Sequence, residues 1–392
     1  MTIKFTEEQI ALKELAREFC EKEVRPVMAE IDARPNPRDC YPRELVRKGS
    51  EIGLRTLALP EEYDGIGADL VTQTLILATM SEVEAGLGKL FSQCWKVTRA
   101  IAEVGTEEQK KKFLTMFAED HDCVCSMCST EPNSGSDNAA PYNPPPRQGI
   151  MTTAVPDGDD FILKGNKHLV SLASFSKLML VFTRTAPDLP ARQGLTIFIV
   201  PSNLPGISFG QVHNKMGWRL YPNGEIFFDN VRVPKENILG RLNEGSETQA
   251  KMNRGDLETP AVCLGLCKAI YRICLDHARE RVQGGKPIIE HPTVGSMLSE
   301  MAMMIDVQEA YMYDTAVCIQ SDPKYDRKKT RFGRIFARDC MHKTTQLAID
   351  IMASSAIMRD HPIEKLIRDG MTKHHGSGPN SLLKLRIIPW LK

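Results

Sequence analysis

Thr130-Glu131-Pro132-Asn133-Ser134-Gly135-Ser136-Asp137 lies just past the point, at about Cys123, where the sequence changes its period. Taken alone it reads as a Gly/Ser turn. On its N-terminal side, from Thr6 to about Asp120, the pattern is helical. Thr6-x-x-Gln9 is a capping box, in which hydroxyl and amide satisfy the unpaired N–H groups of a first turn. Ile10, Leu12, Leu15, Ala16, Phe19 and Val24 then recur at helical spacing and give one apolar face, and Pro26 ends or bends that helix. Leu57 to Gly67 is a turn-rich connection, and Glu107 to Phe117 a further short helix. On the C-terminal side, to Leu239, the period is two. Ile150–Val155 and Phe161–Leu163 flank the hairpin signal Pro156-Asp157-Gly158-Asp159, and Leu178–Thr183, Leu195–Val200 and Glu225–Phe228 are β-rich. The proline-rich stretch between Ala140 and Gly149 reads as an exposed loop or stiff lip. From about Glu244 long apolar stripes return at helical spacing, as in a helical bundle packed across a subunit interface. The expected fold is α+β, mostly α: an N-terminal helical domain (1–122), a central β-domain (123–240) and a C-terminal four-helix-bundle domain (241–392).

Composition excludes several functions. The 392 residues carry 50 Lys plus Arg against 50 Asp plus Glu, so no global field favours nucleic acid or anionic lipid. No apolar run approaches the roughly 18 residues of a membrane span. The N-terminus lacks a secretory pattern, and a cytoplasmic location is expected. Eleven cysteines are scattered and read as reduced, mostly buried thiols. Cys123, Cys125 and Cys128 near His121 have no second Cys pair to complete a zinc site, and their segment reads as a buried strand, so no metal is expected. No P-loop or Gly-x-Gly-x-x-Gly follows a strand, which argues against a Rossmann site.

Four motifs, in order, narrow the choice. They are Thr130–Asp137; Met216-Gly217-Trp218-Arg219 followed by Glu225–Pro234; Arg279-Glu280-Arg281-Val282-Gln283-Gly284-Gly285-Lys286-Pro287-Ile288; and Pro362–Asp369. Their order and spacing resemble the acyl-CoA dehydrogenase family along nearly the whole chain. The resemblance implies an FAD-dependent oxidoreductase acting on the CH–CH bond of an acyl-CoA thioester, with an electron-transfer flavoprotein or similar acceptor, assembled as a homodimer or homotetramer. It places Met127, Ser129 and Thr130 along one flavin edge, Gly135 where the backbone approaches closely, and Ser136 at the CoA arm. Leu169 and Ser171 align with an aromatic wall and with a hydroxyl facing flavin N5. Arg281 corresponds to an arginine on the pyrophosphate of a neighbouring subunit's FAD, followed by Gln283.

The chain also departs from this pattern. The family's base, a glutamate near the C-terminus, falls on Ser377, a hydroxyl without useful basicity. The alternative address on the first bundle helix falls on Gly255, within Asn253-Arg254-Gly255-Asp256-Leu257-Glu258. Asn253, Arg254 and Asp256 are read as substrate residues, and Asp256 as the carboxylate that takes the base's place. A further pocket wall should include Ser92, Gln93, Cys94, Trp95 and Lys96. The family's Gln-x-x-Gly-Gly turn at the cofactor becomes Asp350-Ile351-Met352-Ala353-Ser354, with Asp350 and Ser354 at its ends. An unconventional base or substrate is the first reading. Non-oxidative chemistry such as β-elimination, and a non-catalytic partner subunit, are the rivals.

Overall fold

The capping box forms as its residues dictate: Thr6 Oγ1 accepts from Gln9 N, and Gln9 Oε1 from Thr6 N, both at 3.1 Å. They start α1 (Glu7–Phe19) in the computed structural model, which describes residues 4–135, 137, 145–253, 255–322, 324–374, 376 and 378–391. Pro26 does not end the helix. A π-helical turn over Cys20–Val24 precedes it, and Pro26 enters α2 (Arg25–Ala33) in the first turn, where its missing N–H is no loss. α3 (Arg43–Glu51), α4 (Leu70–Ser81), α5 (Ala85–Val104) and α6 (Glu107–Glu119) complete the first helical region. α5 buries 15 of its 20 residues, and its polar side chains Lys89, Ser92, Lys96 and Arg99 recur along one buried or half-buried stripe.

Seven strands follow: β1 (Val124–Cys128), β2 (Thr153–Asp157), β3 (Asp160–Ser171), β4 (Ser176–Arg184), β5 (Leu195–Pro201), β6 (Ile207–Val212) and β7 (Asn223–Pro234). The Pro156–Asp159 signal is a hairpin between β2 and β3, with Asp157 opposite Asp160. The sheet runs β1-β4-β2-β3-β7-β6, with β5 on β4; β1 and β4 are parallel. Alternation along β4 sends Leu178, Leu180 and Phe182 into the helical core and Met179 and Val181 into a second core that includes Phe161, Phe198, Ile226 and Phe228. The sheet therefore serves two cores, one of which it shares with the helices.

The chain returns to helix in α7 (Gly245–Met252) and α8 (Glu258–Glu280). A small hairpin of β8 (Val282–Gln283) and β9 (Lys286–Pro287) turns on Gly284 and Gly285, both at positive φ. α9 (Pro292–Ser321), α10 (Arg327–Met352), α11 (Pro362–Thr372) and α12 (Asn380–Leu385) finish the chain. α8 crosses α4 closely because Gly265 has no side chain: a Cβ there would lie 2.3 Å from the Ala78 carbonyl oxygen. Met303 and Val307 on α9, and Phe332 and Phe336 on α10, are exposed one turn apart.

α10 ends at Ala353, with φ 48° and ψ −129°. This falls at the first glycine of the expected cofactor turn, and the backbone keeps a conformation that favours glycine although the residue is alanine. An L-residue pays about 1–2 kcal/mol there. Ala353→Gly removes that strain at a smaller cost in unfolded-state entropy, and it is expected to stabilise the protein by roughly 0.5–1 kcal/mol in urea unfolding. A destabilised Ala353→Gly protein would contradict the assignment of strain.

Candidate active site

Two groups of contacts build the candidate site, one on the sheet and one on the helices. The first starts from Lys167, fully buried on β3, whose ammonium lies 2.7 Å from Glu131 Oε1 and donates to the Phe182 carbonyl at 2.6 Å. The Glu131 carboxylate also accepts from Met151 N, Thr152 N and Thr152 Oγ1 at 2.7, 2.9 and 2.6 Å. Burial raises its pKa, but Lys167 and these donors outweigh burial and hold the carboxyl below its ordinary value. The pair thus pins the segment that carries Ser129 and Thr130. Beside it, His168 N donates to the Thr130 carbonyl at 2.9 Å. Leu169 is exposed at φ 54°, its carbonyl held by Asn223 Nδ2 at 2.8 Å, and the same amide donates to Ser171 Oγ at 3.1 Å. Thr130, Leu169 and Ser171 are therefore brought together, with Met127 half-buried below them on β1.

The second wall belongs to the helices. Asp369, in the Pro362–Asp369 motif, accepts from Trp218 N at 2.7 Å and pairs with Lys365 at 2.7 Å, which reaches Glu84 at 2.6 Å. These bonds explain why that motif and Met216–Arg219 occur together. Four residues beyond Asp369, Lys373 is buried, its ammonium 5.2 Å from the centre of the Trp218 ring. Burial, with Arg338 and Lys89 nearby, pushes Lys373 down to about 7; Cys263 and Glu258 act the other way. Arg338 donates to the carbonyls of Gly376 and Gly378, one of these at 2.5 Å, and so fixes both flanks of position 377. Ser377 itself, like Ser136 and Arg254, lies outside the described residues.

Asp256 is not placed as a free base. It is buried and paired with Arg334 at 3.0 Å and Lys96 at 3.8 Å. Burial favours its neutral form, but Arg334, Lys96, Lys89 and Lys373 prevail and hold the carboxyl far below the usual carboxylate range, which makes it a poor proton acceptor. Asn253 is exposed after α7. Among the described residues nothing lies within 4 Å of where a Cβ on Gly135 would be, and its N–H faces Asp137 Oδ2 at 3.2 Å. Arg281, Gln283, Asp350 and Ser354 are exposed at the ends of α8 and α10, and among the described residues none is hydrogen-bonded to the flavin-side wall.

Sequence reading passed over Lys89, Arg334, Arg338 and Lys373. A cation within a helical pattern carries no mark that it is buried. All eleven cysteines are free thiols, and ten are buried. Among the described residues one group has metal-ligating geometry, His168, His213 and Glu225, within which His168 Nδ1 already lies 3.2 Å from Glu225 Oε1. No helix among the described residues is long and apolar enough to cross a membrane.

Family models for the N-terminal, middle and C-terminal domains of acyl-CoA dehydrogenase match residues 6–121, 126–231 and 246–391. The chain belongs to the acyl-CoA dehydrogenase family. It is 31% identical over 389 residues to an acyl-CoA dehydrogenase of Bacillus subtilis, covering 98% of both chains. It is 30% identical to a 3-(aryl)acrylate reductase of Clostridium sporogenes, covering 93% of each. Butyryl-CoA dehydrogenase from Megasphaera elsdenii superimposes with a TM-score of 0.91 at 25% identity, over 100% of both chains. A chain in a structure of the electron transferring flavoprotein of Acidaminococcus fermentans does so with 0.91 at 28% identity, again over 100% of both. The expected three-part α+β fold and the CH–CH oxidoreductase class are those of this family.

The buried pair under the first wall is open to direct test. Lys167→Met leaves Glu131 charged, buried and short of its cation, and is expected to destabilise the protein by about 3–5 kcal/mol. Lys167→Met with Glu131→Gln, which removes the stranded charge, should recover part of that loss. Equal urea midpoints for parent and Lys167→Met would contradict the role given to the pair.

Proposed function

We propose that this chain is an FAD-dependent acyl-CoA dehydrogenase in which Lys373 takes the place of the missing carboxylate. The observation that carries the reading is the meeting of Thr130, Leu169 and Ser171, two half-buried hydroxyls on either side of an exposed Leu169 at positive φ. These residues fit a flavin. Ser129, Thr130 and Ser171 offer hydroxyls to its edge, and Gly135, with no described residue within 4 Å of a Cβ there, is assigned to the close approach of the backbone. Ser136 is assigned to the CoA arm. Arg281, exposed and without a salt bridge among the described residues, is assigned with Gln283, Asp350 and Ser354 to the FAD of a second copy. A planar guanidinium suits a diphosphate. The exposed apolar residues of α9 and α10 support a homodimer or homotetramer.

FAD, when bound, supplies the acceptor for the hydride that leaves the β-carbon. Lys373 Nζ takes the α-proton, so that proton and hydride leave adjacent carbons and an enoyl thioester results. A buried amine with a pKa of about 7 is neutral in roughly half the molecules at neutral pH, as a general base requires. Asp256 does not compete, because Arg334 holds it as an ion pair. Asn253 and Arg254 remain assigned to substrate. An electron-transfer flavoprotein is the proposed acceptor in turnover. Neither the non-oxidative nor the partner-subunit reading is needed.

Anaerobic mixing of the FAD-loaded protein with acyl-CoA thioesters tests this. Flavin reduction is expected, with a rate that rises through about pH 7 as Lys373 loses its proton. Lys373→Met should reduce flavin at least about 100-fold more slowly at unchanged FAD content. A parental rate in Lys373→Met would remove lysine as the base, and no reduction by any thioester would remove the dehydrogenase reading.

A further inference from the structure

Asn223 opens β7 directly across from Ser171 on β3, next to a break in the ladder. Between Lys167 and Val170 the register slips, and Leu169 takes a positive φ. The Asn223 side chain spans this break. Its Nδ2 donates to the Leu169 carbonyl at 2.8 Å and to Ser171 Oγ at 3.1 Å. Its Oδ1 accepts from Lys215 Nζ at 2.7 Å, and the same lysine donates to the Tyr221 carbonyl at 2.6 Å.

These partners leave the amide one orientation. A carbonyl oxygen only accepts, so Leu169 requires the NH2 end. Lys215 donates, so it requires the oxygen end. Burial pushes the Lys215 pKa down to about 7, against the pull of Asp369, yet a neutral amine keeps the two N–H groups that these bonds use. Ser171 Oγ therefore receives a hydrogen from Asn223 and does not give one. A hydroxyl has a single hydrogen, and that of Ser171 points away from Asn223. Tyr221 lies close enough to Ser171 to interact with its hydroxyl, and the Tyr221 hydrogen goes to Gln93 Oε1 at 3.2 Å. Toward Ser171, Tyr221 is thus an acceptor as well.

On the acyl-CoA dehydrogenase reading of this site, we infer that Asn223, braced by Lys215, is a positioning residue that makes Ser171 a hydrogen-bond donor to the flavin. The N5 and O4 atoms of an oxidised flavin carry lone pairs and no hydrogen, so a hydroxyl of this polarity suits them. A hydroxyl free to rotate would first have to be ordered, which weakens the bond.

FAD titration of the apoprotein, followed in the visible spectrum, is carried out on the parent, Ser171→Ala, Asn223→Leu and the double variant. Ser171→Ala and Asn223→Leu should each raise the FAD dissociation constant about two- to tenfold, the range of one hydrogen bond, and shift the visible bands in the same direction. In the Ser171→Ala background Asn223→Leu should add no more than about twofold and no further band shift, because its effect passes through that hydroxyl. If Asn223→Leu does not fold, Lys215→Met, which removes the brace and keeps the amide, takes its place in the cycle. Equal effects of Asn223→Leu with and without the Ser171 hydroxyl would make Asn223 a structural residue only and overturn the inference. Parental affinity and spectrum in Asn223→Leu would overturn it too. A parent that binds no FAD would instead overturn the flavin reading, and the inference with it.

Discussion

A single buried ion pair organises the flavin side of this protein. Lys167 has no exposure, so its charge is tolerable only because Glu131 sits 2.7 Å away and the Phe182 carbonyl takes another of its protons. Once fixed, the Glu131 carboxylate gathers Met151 and Thr152, and the chain on either side has little freedom. Thr130 precedes Glu131, and Leu169 lies two residues beyond Lys167. Both sides of the hydroxyl-lined wall are thus set by one interaction in the sheet. What holds the chain at Thr130 and Glu131 is therefore electrostatic.

The helical side follows the same rule with a different outcome. Asp369 and Lys365 join α11 to the Trp218 backbone and to Glu84, and this holds the wall that carries Lys373. Burial, with Arg338 and Lys89 nearby, lowers the pKa of Lys373, and Arg334 holds Asp256 in an ion pair.

Much of the fold was legible in the sequence because its signals are local. The Thr6–Gln9 box, the Pro156–Asp159 hairpin and the alternation in Leu178–Thr183 each act within a few residues, and all three form. α5 was passed over as a helix although Lys89, Ser92, Lys96 and Arg99 recur on one face at helical spacing, because that face lies against the protein rather than in water. Pro26 was read as an end or a bend; the helix continues because a π-turn upstream absorbs the defect, and no single residue announces a π-turn. At the site, the hydroxyls and Leu169 followed from aligned motifs. The partners of Asp256 did not, because Lys96 and Arg334 come from other helices far along the chain. Ala353 is the inverse case: the residue departs from the glycine pattern while the backbone keeps the glycine shape.

The central claim is that the Thr130–Leu169–Ser171 wall holds a flavin despite the altered turn at Ala353. FAD titration of the apoprotein, followed in the visible spectrum with folding checked by circular dichroism, tests it most directly. The account predicts saturable binding that approaches one FAD per chain, with the spectral change of a flavin transferred from water to a protein site. A folded apoprotein whose added FAD keeps the spectrum of the free cofactor would contradict it.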